Sequence, residues 1–166
     1  MSMTVTVIKQ ELQIDQEIDE KLNELLKQQK EWIDESEIWK SELDVHQLQN
    51  LLSVAHETNS VEVVKNFILY QLGRDAGKKE DKKRSWQWRW KKKGPFGQEL
   101  LAEIEELRKR AVGIAQATKS PNSEIDKIWI KLTRVYLGYL RRYFFYKKRE
   151  WEAEKEEQKN KRGKSS

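Results

Sequence analysis

The sequence has no cysteine, two prolines, seven glycines and two histidines in 166 residues. Each scarcity excludes something. Without thiols there is no disulfide, no thiolate-bound metal and no cysteine nucleophile, and a reducing compartment fits. Few prolines and glycines leave few breaks, so long helices with short joints are expected. His56-Glu57 is not followed by the second histidine of a zinc-protease helix, and His46 stands ten residues away. Both histidines read as polar boundary residues. No glycine-rich phosphate loop occurs. The carboxylates Asp15, Asp19, Glu20 and Glu24 have the spacing of a solvated helix face. A protein without enzymatic activity, metal, cofactor or small-molecule substrate is therefore expected. No apolar run approaches the roughly 18–20 residues of a membrane span, and no basic-then-apolar leader is seen. The expectation is a soluble, cytoplasmic protein with no membrane partner.

What the chain does contain is charge, unevenly placed. Apolar residues and charged residues each make up 37%, the formal net charge is +5, and the mean hydropathy is −0.94. Residues 1–44 carry five lysines against twelve acids, a balance of −7. Residues 77–93 carry nine cations against two acids, +7, and residues 141–166 carry ten against five, +5. The acidic end is unsuited to phosphates and the two basic regions are suited to them. The same polarity also fits head-to-tail pairing of copies of the chain.

Hydrophobic spacing predicts an all-α fold: a single bundle of about five helices over residues 1–158, with a basic Trp-rich loop at 77–96 and a disordered basic tail at 159–166. The first helix covers about Lys9 to Lys30, either running on through Trp32 and Ile33 or breaking near Asp34 to Ser36. Asp44 is an N-cap candidate for a second helix, Val45 to Glu57. Asn59 with Glu62 resembles a capping box for a third, burying Val61, Val64, Phe67, Ile68 and Leu72 and ending near Gly73 or Gly77. A fourth runs from about Gln98 to Thr118. A fifth starts at Ser123, with Asp126 three residues on, and reaches about Glu157.

Two features carry a functional reading. The run from Lys82 to Lys93 interleaves Trp86, Trp88 and Trp90 with seven cations. In an extended form the three rings share one side and Gln87 and Arg89 the other. Nucleic acid would neutralise Lys78, Lys79, Lys82, Lys83, Arg84, Arg89, Lys91, Lys92 and Lys93, and its bases would stack on Trp86, Trp88 and Trp90. The alternative is a solvated basic loop whose tryptophans fold back onto the protein. On the fifth helix, Ile125, Ile128, Trp129, Leu132, Val135, Tyr136, Tyr139, Leu140 and Tyr143 form a core stripe. Opposite them lie Lys127, Lys131, Arg134, Arg141, Arg142 and Arg149. That face spans about 33 Å at roughly 1.5 Å per residue and could track a phosphate backbone or simply be solvated.

The segment Ser60 to Asp75, SVEVVKNFILYQLGRD, resembles the small subunit of type III CRISPR effector complexes. That resemblance covers about sixteen residues plus size, charge and helical character. It does not extend to the Trp-rich insertion or the charged C-terminus. It implies a non-catalytic helical subunit present in several copies. Such a subunit contacts guide RNA and target nucleic acid through backbone-directed charges and touches other effector-complex subunits. It implies that Lys65, Tyr70 and Arg74 lie near the RNA or a neighbouring subunit. Two other readings stay open: a protein-interaction module docking through the aromatic loop and Tyr143, Phe144, Phe145 and Tyr146, and a membrane-surface or calmodulin-type amphipath in the fifth helix.

Overall fold

A computed structural model describes residues 3–77, 85–90 and 93–164. Its elements are α1 (Met3–Ser36), α2 (Val45–Glu57), α3 (Val61–Ala76), α4 (Phe96–Ala117) and α5 (Ile125–Lys164). Short 3-10 turns, Ile38–Lys40 and Asn122–Glu124, lead into α2 and α5. No strand occurs among the described residues, so the all-α bundle is the observed fold.

The helix ends follow local chemistry. Asp44 and Gln47 form a reciprocal capping box at the start of α2, each side chain accepting from the other residue's backbone N–H at 3.0 Å. The expected box at Asn59 does not form. Ser60 is the N-cap residue of α3 and its side chain makes no capping bond. Asn59 instead presents Oδ1 to Arg134, whose guanidinium also donates to the Ala55 and Thr58 carbonyls at 2.8 and 2.7 Å. One arginine thus satisfies the orphan carbonyls at the end of α2 and takes the oxygen that would have opened α3. Both ends of the chain are more helical than expected. α1 continues to Ser36, because Ile33 and Trp32 pack inside the bundle. α5 starts after the 3-10 turn, not at Ser123, and runs through the expected frayed tail to Lys164. Its last turn holds Lys161, Arg162 and Lys164, cations that favour a helix C-terminus.

Contacts fix the helix directions. α1 and α5 run parallel, with Asp15 paired to Lys131 at one end and Tyr143 hydrogen-bonded to Asp34 at the other. α4 runs antiparallel to both, as Arg110 reaches Gln28 and Trp129 Nε1 donates to Ile104 O. The α2–α3 hairpin packs against α5 and α4, with α3 antiparallel to α4 through Lys65–Glu105 and Leu72–Gly97. A Cβ on Gly97 would lie 2.8 Å from Leu72 Cγ and Cδ2, so a larger residue there forces the buried Leu72 side chain to shift.

One carboxylate sits against the core. Glu103 lies beside Tyr136, and burial, reinforced by Glu106 and Glu99, raises its pKa above the ordinary carboxylate value. A raised folded-state pKa means the stabilisation is present when Glu103 is protonated and is lost as pH rises through that pKa. Glu103→Gln should therefore raise the melting temperature at pH 7, with the gain vanishing below the ordinary carboxylate range. Thermal unfolding of both proteins across pH checks this.

Candidate nucleic-acid interface

The tryptophans of the basic segment do not form an exposed stacking platform. Trp86 is fully buried, Trp90 is 7% exposed and Trp88 is partly buried against the core. Trp32 and Phe96 stack with centroids 5.0 Å apart and planes within 3°, and Trp86 and Trp90 each lie 6.5 Å from a member of that pair. The backbone explains why. The Phe96 and Gly97 N–H groups, orphans at the start of α4, donate to the Trp88 and Trp86 carbonyls at 2.7 and 2.8 Å. Gln87 donates to the Leu72 carbonyl, Trp86 N to Asp75 Oδ2, and Trp88 Nε1 to the Ser36 carbonyl. Residues 85–90 thus close one end of the bundle by tying α1, α3 and α4 together. Burying three indoles outweighs any benefit of presenting them to solvent.

Several expected phosphate contacts are likewise taken by the protein. Lys65 bridges Glu105 and Glu62 and lies 5.9 Å from the Trp129 ring, and the Glu105 hydrogen bond raises its pKa. Lys131 pairs with Asp15, Lys127 with Glu124, and Arg134 closes α2. Arg141 is half-buried. The cationic face of α5 is therefore not continuous over 33 Å, because its first half is matched by acceptors on α1, α2 and the turn before α5. Tyr70, Arg74, Arg89, Lys93, Arg142 and Arg149 remain exposed. Lys78, Lys79, Lys82, Lys83, Arg84, Lys91 and Lys92 lie outside the described residues.

Residues 85–90 and the second half of α5, far apart in sequence, meet at one end of the fold. Trp88 is bonded to Ser36 at the end of α1, and Gln47 at the start of α2 donates to Ser85 Oγ at 3.4 Å. At that same end Lys147 pairs with Asp34, while Lys148 donates to the Ser41 and Leu43 carbonyls at 2.8 and 3.0 Å. Burial lowers the pKa of Lys148. Past Trp151, α5 leaves the bundle and is exposed throughout to Lys164. Arg74, Arg89, Lys93 and Arg149 thus lie toward one end of the bundle, which also carries the exposed acids Asp34, Glu35, Glu37, Glu42 and Asp44.

Sequence reasoning named the residues of one part of this surface without joining them on one face. Arg142, Phe145, Tyr146 and Arg149 are all exposed and follow i, i+3, i+4, i+7 spacing on one face of α5. Arg142 lies over Tyr139 at 5.2 Å and Arg149 over Phe145 at 5.3 Å. The helical period could have separated Phe145 and Tyr146 from their neighbours, since Phe144 is fully buried and Tyr143 half-buried. Reading residues 143–146 as one aromatic cluster concealed that split. Beside Phe145 lies a groove of about 220 Å³ lined also by Asp44, Val45, Lys148, Arg149 and Glu152.

Among the described residues no group of three or more His, Asp or Glu is placed to hold a metal ion, and no helix is long and apolar enough to cross a membrane. No family model, curated protein or solved structure matches the chain. The functional reading therefore rests on the residues and their placement.

Trp86→Ala should cost about 3–5 kcal/mol of stability, as expected for emptying a buried large aromatic site, whereas Arg89→Ala should be nearly neutral. Urea unfolding of both variants separates the structural ring from the open cation beside it.

Proposed function

We propose that the protein is a non-catalytic, nucleic-acid-binding structural subunit of an RNA-guided CRISPR effector ribonucleoprotein, working in the cytoplasm. Its basic end contacts the guide–target duplex or the target strand through phosphates, beside other effector subunits and copies of itself. The observation that carries this reading is the meeting of residues 85–90 with the second half of α5 at one end of the bundle, which brings Arg89 and Arg149 toward the same end. Phosphate binding gains free energy from each counterion released, so cations gathered on one end act together. The resemblance of residues 60–75 to the type III small subunit supports the same reading, with Tyr70 and Arg74 open on α3. Lys65, held by two glutamates, does not belong to the proposed surface.

A second reading is a helical adaptor that docks a protein. The buried tryptophans do not favour it, but Phe145 and Tyr146, exposed at 43% and 59%, do.

Gel-shift titration at several salt concentrations separates the two. Changing Lys82, Lys83, Arg84, Lys91, Lys92 and Lys93 to Gln should weaken binding of RNA without regard to sequence. It should also flatten the log–log salt slope by about 0.7–0.9 for each phosphate that the variant fails to neutralise. Unchanged affinity and slope would remove this segment from the interface.

A further inference from the structure

We propose that the open face of α5, together with the groove beside the start of α2, is a binding site for unpaired nucleotides. A base stacks on Phe145 and Tyr146, and Arg142 and Arg149 hold the adjoining phosphates. This rests on the nucleic-acid reading above and deepens it by naming the strand class, single-stranded rather than duplex.

Three observations lead there. First, rings and guanidiniums alternate on one exposed helix face. Arg142 and Arg149 are two turns apart, roughly 10.5 Å along the axis at about 1.5 Å per residue, with Phe145 and Tyr146 between them. Bases of unpaired RNA are recognised by stacking on aromatic rings and on guanidinium planes, and this face offers both. Second, neither Arg142 nor Arg149 takes part in any ion pair among the described residues. Each lies against a ring, which pre-orders its planar fork and leaves its N–H donors for phosphate oxygens. On the adjoining edge the Glu150 carboxylate raises the pKa of the Tyr146 hydroxyl, and Asp44 and Glu152 line the groove with Arg149.

Third, the groove beside Phe145 sorts the parts of a nucleotide. At about 220 Å³ it is smaller than the roughly 300–1,000 Å³ of sites for drug-sized ligands. It suits a planar base. Val45 and Phe145 supply apolar walls, and Asp44 and Glu152 supply carboxylates that repel phosphate but accept hydrogen bonds from exocyclic amino groups. A base that enters the groove meets Phe145 and Val45, with Lys148 and Arg149 as cationic walls for the adjoining phosphate, while Tyr146 and Arg142 continue the site outside it. In a duplex the base faces are already stacked, so Phe145 and Tyr146 add nothing to its binding.

The test compares binding of fluorescently labelled twenty-nucleotide single-stranded RNA and a blunt RNA duplex of equal length. Both are titrated with the full-length chain at one salt concentration and then across several. The Phe145→Ala, Tyr146→Ala double variant should melt like the parent, since both side chains are exposed. It should lose at least about 5-fold in single-strand affinity, the lower range for one stacked base. Duplex affinity should stay within a factor of about two, and the salt slope should be unchanged because no charge is removed. Phe145→Trp should retain the parent affinity. Unchanged single-strand binding in the double variant, or equal loss on both ligands, would overturn the stacking site and leave the broader phosphate reading standing. Absence of salt-dependent binding of either RNA by the parent protein would remove both.

Discussion

The packing of Trp86 and Phe96 beneath the ends of α1 and α3 is the interaction on which the rest of the structure depends. Both rings are fully buried. Phe96 opens α4, stacks on Trp32 of α1, and is held by its backbone N–H to the Trp88 carbonyl. Gly97, one residue later, allows α4 to meet Leu72 of α3. Residues 85–90 are anchored by their aromatics and leave Arg89 outward. The indoles supply the apolar area that keeps residues 85–90 on the bundle, and Arg89 and Lys93 are left exposed between them. The interleaving of tryptophan and cation thus leaves Arg89 exposed between buried rings at one end of the helical scaffold.

That placement gives the two halves of α5 different tasks. From Lys127 to Arg134 each cation meets an internal partner: Lys127 a neighbouring glutamate, Lys131 the acidic face of α1, Arg134 the carbonyls closing α2. Such contacts orient helices and leave little charge for a ligand. In the second half, Lys147 and Lys148 secure the helix to α1 and to the turn before α2. Arg142 and Arg149 are exposed, Arg149 sharing its groove with Lys148. An exposed ion pair contributes only about 0–1 kcal/mol to folding. A cation released to the surface therefore costs the fold little and remains available to a polyanion.

Much of the architecture was legible in the sequence because it depends on local signals. The α2 boundaries followed from Asp44 and the Leu48, Leu51 and Ala55 stripe, and α3, α4 and α5 appeared near their observed positions. The misses share a cause: the decisive partner lies far away in the chain. Asn59 reads as a cap until Arg134, seventy-five residues later, claims its oxygen. Trp86, Trp88 and Trp90 read as a ligand surface because nothing local announces that Asp75, Ser36 and the start of α4 wait to receive them. A cationic helix face looks uniform until acids on other helices neutralise part of it. Phe145 and Tyr146 read as one docking cluster with Tyr143 and Phe144 for the opposite reason, since their periodicity is local but hidden within a continuous aromatic run.

The most direct test of the basic end is photocross-linking of a bound RNA, with the attached peptides mapped by mass spectrometry. Cross-links are expected within residues 74–93 and 139–155, and none at Lys9, Lys119 or Lys127 at the far end of the bundle. Cross-links concentrated on that far end, or an RNA that attaches nowhere on the chain, would contradict a phosphate-binding role for the basic end.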